Sequence, residues 1–228
     1  METVLILDFG AQYSQLIARR VREQNVYCEV KPCSISPDEI RELAPIGIIL
    51  SGGPQSVYES VSLHVDPALF SLGIPVLGIC YGCQLMAYSL GGTVAAATEA
   101  TAREYGKTLT EFDTESAIFH GLPASSVTWM SHGDYISQVP DGFTVTAKTA
   151  VCPTAAMACP EKKLYGVQFH PEVQHTVQGS EILRRFLYSV CGASGDWTMA
   201  DYRQTAIRAI REKVGSGRAL LALSGGVD

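Results

Sequence analysis

The sequence has no run of basic residues, no apolar stretch long enough to cross a bilayer, and no basic segment leading into an apolar one at its start. Each gap removes a class of protein. At a formal net charge of -6 the chain offers no cationic face for a nucleic-acid backbone or an anionic membrane, although a single nucleotide remains an acceptable ligand. Met1-Glu2-Thr3-Val4-Leu5 runs directly into a strand pattern, so neither a secretory signal nor a membrane span is expected. Regular cysteine spacing is also missing. Seven cysteines is an odd number, irregularly placed, which reads as reduced thiols in the cytoplasm. No second Cys or His pair stands at ligand spacing, so no metal is expected. Hydrophobic residues at 46% and charged residues at 18% fit an ordinary α/β protein, and 228 residues suffice for one large domain and a fragment.

What is present is a repeated switch between dense apolar runs and helical spacing. Val4-Leu5-Ile6-Leu7 predicts a buried strand ended by Asp8-Phe9-Gly10, and Tyr13, Leu16, Ile17 and Val21 then recur at helix spacing. Strands are expected over residues 26–30, 46–50 and 75–79, with helices over 36–43, where Pro37 suits the first turn, and 82–90, closed by Gly91-Gly92. Such alternation predicts an open, mostly parallel but mixed sheet with helices on both faces. Residues 107–151 read as shorter antiparallel strands, 164–170 as one more strand and 181–190 as a helix. A linker-like stretch at 191–196 divides the chain into expected domains of residues 3–196 and 197–228. In the second, Thr198-Met199-Ala200-Asp201 opens a helix running to about 214, and a strand over 219–223 leads into Ser224-Gly225-Gly226-Val227-Asp228. Ending within such a motif, the second domain is expected to be incomplete.

Two stretches carry chemistry. Gly78-Ile79-Cys80-Tyr81-Gly82-Cys83-Gln84 places a cysteine where a buried strand turns sharply into a helix, with glycines to permit the tight backbone. The positive end of the helix dipole favours a thiolate there, the form that attacks a carbonyl carbon. The same residues admit a small core cysteine, or a redox dithiol of Cys80 and Cys83, although no Trp or Pro flanks that pair.

Gly166-Val167-Gln168-Phe169-His170-Pro171-Glu172 is the second stretch. Strand alternation puts Gln168 and His170 on one face, and Pro171 keeps His170 out of the helical region. An extended path through His170 brings Glu172 to one ring nitrogen and leaves the other for Cys80, the arrangement of a general base serving a cysteine nucleophile. The plainer alternative is a buried histidine satisfied by backbone, with Glu172 a surface charge.

Cys-Tyr-Gly-x-Gln after one strand, Phe-His-Pro-Glu after another and an earlier Gly-Gly-Pro resemble the class I glutamine amidotransferases over residues 3–196. The resemblance implies that Cys80 is the nucleophile, His170 the base and Glu172 its orienter. It assigns the oxyanion hole to the backbone N–H groups of Gly53 and Tyr81, and glutamine binding to Gln84, Ser131, Gly133 and Asp134. It implies no cofactor for the glutaminase half. Cys83 stands where the family pattern has methionine, which reads as a packing change.

Ile6-Leu7-Asp8-Phe9-Gly10-x-Gln12-Tyr13, Trp129-Met130-Ser131-His132-Gly133-Asp134 and Phe169-His170-Pro171-Glu172-Val173-x-His175-Thr176 are similar to the subgroup that feeds ammonia to xanthosine monophosphate (XMP). Ser224, Gly225, Gly226, Val227 and Asp228 resemble the start of the pyrophosphate-binding loop of an ATP-pyrophosphatase domain. By that resemblance the full reaction uses XMP, ATP and Mg2+, and the full-length enzyme is a homodimer. The rival expectations are the amidotransferase domain of another synthetase, or a catalytically silent regulatory module.

Overall fold

The computed structural model describes residues 2–97 and 103–221. The chain falls into two compact units, Met1–Asp196 and Trp197–Asp228.

The first unit is built on a nine-stranded sheet. Along the chain its elements are β1 (Thr3–Asp8), α1 (Ser14–Glu23), β2 (Tyr27–Pro32), α2 (Pro37–Leu43), β3 (Gly47–Leu50), β4 (Val76–Ile79) and α3 (Tyr81–Ser89). Strands β5 (Thr93–Ala96), β6 (Glu104–Phe112), β7 (Ser125–His132), β8 (Asp134–Gln138), β9 (Thr144–Lys148), β10 (Ala156–Cys159) and β11 (Leu164–Val167) follow, then α4 (Gly179–Arg185). The sheet order is β2-β1-β3-β4-β11-β10-β9-β6-β7, and β5 pairs separately with β8. Strands β2, β1, β3, β4 and β11 run parallel, and β10, β9, β6 and β7 extend the sheet in antiparallel fashion. This is the mixed α/β sheet that the alternation predicts.

The dense apolar runs have a direct cause. In β1, Val4 and Ile6 join the core under α1 and α4, with Ile17, Val21, Ile182 and Phe186, while Leu5 and Leu7 join the opposite core, with Ile40 of α2 and Leu85 and Met86 of α3. A strand covered by helices on both faces has no polar side to display. Helix α2 starts at a capping box in which the Ser36 hydroxyl accepts from Glu39 N at 3.2 Å and the Glu39 carboxylate accepts from Ser36 N at 2.9 Å, with Pro37 in the first turn.

In this unit three expectations are corrected. The strand read over 164–170 stops at Val167: the chain bends at 168–169 and turns at 171–172. The cause is long-range, since Gln168 N donates to Ala155 O at 2.8 Å and His170 N to Trp129 O at 3.0 Å, drawing the segment away from a parallel path. The helix read over 181–190 is α4 followed by a wider π-type turn over Phe186–Val190. The glycines of the strand–helix corner do not themselves take the unusual backbone angles; Cys80 does.

In the second unit, Thr198 caps α5 (Met199–Val214), its hydroxyl accepting from Asp201 N at 3.2 Å. Residues 219–221 form no strand. The rest of that expected strand, and Ser224 to Asp228, lie outside the described residues. Among the described residues no helix is long and apolar enough to cross a membrane.

Candidate active site

Cys80 joins β4 to α3 at φ 51 and ψ -107, a left-handed backbone that costs a non-glycine residue of the order of 1–3 kcal/mol. The surroundings hold it there. Cys80 N donates to Val167 O at 2.8 Å, and Cys83 N and Gln84 N both donate to Cys80 O at 3.1 Å. The flanking glycines let backbones touch: a Cβ on Gly78 would lie 2.6 Å from the carbonyl of Gly82, and one on Gly82 would lie 2.5 Å from Leu50 O. The corner is thus pressed against β3 and β11, and the thiol projects from the N-terminus of α3.

His170 meets this thiol from another segment. Its ring lies beside the thiol: a Cβ built on Gly52 would lie 3.3 Å from His170 Cε1 and 3.8 Å from Cys80 Cβ. His170 Nδ1 is 2.8 Å from Glu172 Oε1, so Nδ1–H donates to the carboxylate and Nε2 is left to the sulfur. Glu172 reaches the ring through the turn at 171–172, not through strand alternation. Further contacts fix both residues: Arg20 Nε donates to Glu172 O at 2.9 Å, Thr176 Oγ1 donates to His170 O at 2.6 Å, and Trp129 N donates to Thr176 Oγ1 at 3.0 Å. Burial of the imidazole lowers its proton affinity, but the neighbouring Cys80 sulfur and Glu172 carboxylate outweigh that and push His170 up to about 10.

In front of the sulfur lies a cavity of about 450 Å³. Gly53, Tyr81 and Gln84 line it beside Cys80, and Ser131, Gly133 and Asp134 line the facing wall. Every residue expected to touch glutamine therefore borders one space. His170 and Glu172 stand behind the nucleophile, buried. Gln84 is buried too, and its Nε2 donates to Asp134 O at 2.8 Å and to Gln168 Oε1 at 3.0 Å. Its amide thus braces the facing wall.

Several residues of the site were not singled out from sequence. Arg103 and Tyr105 line the cavity just before and within β6, and nothing local marks them. Gln168 lies behind the sulfur, its Nε2 3.6 Å from Cys80 Sγ; sharing a face with His170 was its one signal.

Cys83 does not form a working dithiol. It is fully buried, its Sγ occupies space that a Cβ on Gly166 would need, and burial raises its thiol well above the usual range. All seven cysteines are free thiols. A grouping that sequence spacing did not reveal is Glu104, His132 and Cys152, buried with potential ligand atoms within 4.8 Å of one another. Glu104 is directly opposite His132 across β6 and β7. Its two oxygens are already engaged, Oε1 by Thr149 Oγ1 at 2.8 Å and Oε2 by His132 Nε2 at 3.2 Å, and His132 Nδ1 donates to Asp134 O at 3.0 Å. The group reads as a satisfied polar network anchoring the wall of the cavity.

A cysteine at a strand–helix corner, a carboxylate-held histidine and a polar cavity on this sheet agree with what sequence comparison finds. The profile of the class I glutamine amidotransferase family matches residues 5–190, and the chain belongs to that family. Among curated relatives it is 55% identical over 227 residues to the glutamine-hydrolysing GMP synthase of Clostridium botulinum (strain Alaska E43 / Type E3), and 54% identical to that of Geobacillus kaustophilus (strain HTA426). Each match takes in 100% of this chain and 44% of the relative, so the chain spans less than half the length of these proteins. A crystal structure of a provisionally named GMP synthase subunit from Thermoplasma acidophilum superimposes with a TM-score of 0.75 at 31% identity, covering 91% of this chain and 98% of that one.

Proposed function

We propose that Cys80, His170 and Glu172 form a triad that hydrolyses glutamine, and that this chain is the ammonia-supplying part of a glutamine-hydrolysing GMP synthase. One observation carries the reading: the sulfur of a backbone-strained corner and a carboxylate-held imidazole lie side by side at the edge of a polar cavity.

The chemistry follows from those positions. Glutamine enters with its carboxamide toward Cys80 and its charged end among Ser131, Gly133 and Asp134. Cys80 gives its proton to His170, and the thiolate adds to the carboxamide carbon. The negative charge that develops on oxygen is met by the N–H groups of Gly53 and Tyr81, fixed donors that need no rearrangement as charge appears. His170 returns the proton to the departing nitrogen, and ammonia leaves behind a glutamyl thioester. Water, deprotonated by His170, then adds to the thioester, releasing glutamate and restoring the thiol. Glu172 holds the ring and offsets its positive charge in both halves. These steps use protein groups and water.

The relatives' name motivates the rest of the reading. Ammonia would pass to XMP activated by ATP and Mg2+ in an ATP-pyrophosphatase domain, whose start we assign to residues 197–228, with residues 3–196 as the amidotransferase domain. Free thiols throughout suit a cytoplasmic protein.

The test is glutamate release from glutamine. Cys80→Ala is expected to abolish it and Cys83→Ala to retain most of it. Equal loss from both changes would reinstate the dithiol, and release surviving in Cys80→Ala would remove the triad.

A further inference from the structure

Gln168 sits where the chain leaves β11, fully buried, and its carboxamide direction is dictated from a distance. The direction is set first at Asp134 O, a carbonyl that can only accept. Gln84 must therefore present its NH2 group there, as its 2.8 Å contact shows, and His132 Nδ1 donates to the same oxygen at 3.0 Å. The other N–H of that NH2 group points to Gln168 at 3.0 Å, so Gln168 must present its oxygen to Gln84. That leaves the Gln168 NH2 group facing Cys80 Sγ at 3.6 Å. Neither amide can flip without setting two donors or two acceptors against each other.

The sulfur has two sets of neighbours suited to its two states. As a thiol, Cys80 donates to Ser131 O at 3.7 Å. A carbonyl cannot stabilise a thiolate, whereas the Gln168 N–H and protonated His170 can. Around the sulfur stand His170 with Glu172 behind it, Arg103 and Asp134 on the cavity, Tyr81 on the same turn and Cys83 behind it on α3, while Glu104 and His132 support the far wall.

We propose that Gln168 is a further catalytic residue, whose amide N–H donates to the Cys80 sulfur as it passes its proton to His170, with Gln84 as the positioning residue that sets the direction of that amide. The proposal rests on the reading of Cys80 as the nucleophile. In the step concerned the S–H bond breaks, the proton joins His170, and the electron pair stays on sulfur facing Gln168. A hydrogen bond to a charged group of this length corresponds to about a tenfold change in ionisation.

Two variants of the whole chain test it, Gln168→Met and Gln168→Glu. The readouts are kcat and KM for glutamine, and the pH dependence of Cys80 alkylation by iodoacetamide, followed by mass spectrometry on the Cys80 peptide. Met removes the donor at similar size; Glu keeps an acceptor for Gln84 and turns a carboxylate oxygen toward sulfur. The half-maximal alkylation pH is expected to rise by about one unit in Gln168→Met and further in Gln168→Glu, with kcat falling about tenfold or more and KM changing little. A structural role predicts the reverse order, because Glu preserves the Gln84 bond and Met does not. The reverse order, or wild-type profiles in both, overturns the proposal. Should Gln168→Met melt below the assay temperature, Gln168→Glu decides alone. Failure of the parent reading looks different: fully alkylated Cys80 would leave wild-type glutamate release intact.

Discussion

Glu172 Oε1 accepts a hydrogen bond from His170 Nδ1–H, and its Oε2 is buried with no hydrogen-bond donor among the described residues. A carboxylate left in that state is costly unless a positive charge faces it, and His170 is the group that supplies one. Glu172→Gln keeps the shape and an oxygen for Nδ1 but removes the charge that favours imidazolium. Glutaminase kcat should fall by roughly 10²- to 10⁴-fold. The sign of the pH effect follows. Because His170 is raised from 6.5 to about 10, its pairing contributes stability that is fully present below about 6.5 and lost as the pH climbs through about 10. Denaturant titrations of wild type and Glu172→Gln should therefore differ most near the lower limit and converge toward the upper. A gap that stays constant across that range would contradict this account. At this scale the sequence was informative about identity more than about path. The motifs marked Cys80, His170 and Glu172, but not the turn by which Glu172 reaches the ring, nor the amide direction of Gln168. Both are set by Trp129, Ala155 and Asp134, which are distant in sequence.

At the scale of elements, the corner between β4 and α3 depends on close approach of three backbones. Gly82→Ala places a methyl group 2.5 Å from Leu50 O and forces α3 away from β3. Since the nearest atom is buried backbone of Leu50, a loss of roughly 1–3 kcal/mol is expected, read as a lowered urea midpoint, together with slower alkylation of Cys80. An unchanged midpoint would show that the corner has slack. The same element explains which parts of the fold were readable. Strands β1, β3 and β4 announce themselves because both faces are buried and their buried residues carry no polar side chain. The β5–β8 pair and the apposition of Glu104 with His132 do not, because a cross-strand pairing exists only once the register is known. Arg103 and Tyr105 escaped notice for the same reason, as they reach the cavity through that register.

For the molecule as a whole, the central claim is that three separate segments, around Cys80, residues 131–134 and residues 168–172, build one glutamine-cleaving site. That convergence could be anticipated because each segment carried its own motif. Residues 197–228 read as a capped helix, a strand and a glycine-rich end; the helix is present as α5, and residues 219–221 form no strand. The six other cysteines provide an internal control. Five are buried and Cys191 is partly so, and burial pushes Cys28 up to about 11 and Cys152 and Cys191 up to about 12. The most direct measurement is therefore to treat the chain with an electrophilic analogue of glutamine and map the adduct by peptide mass spectrometry while glutamate release is followed. One adduct per chain, on Cys80, accumulating in step with the loss of activity and slowed by added glutamine, is the predicted result. An adduct on another residue, or activity that persists once Cys80 is fully modified, would contradict it.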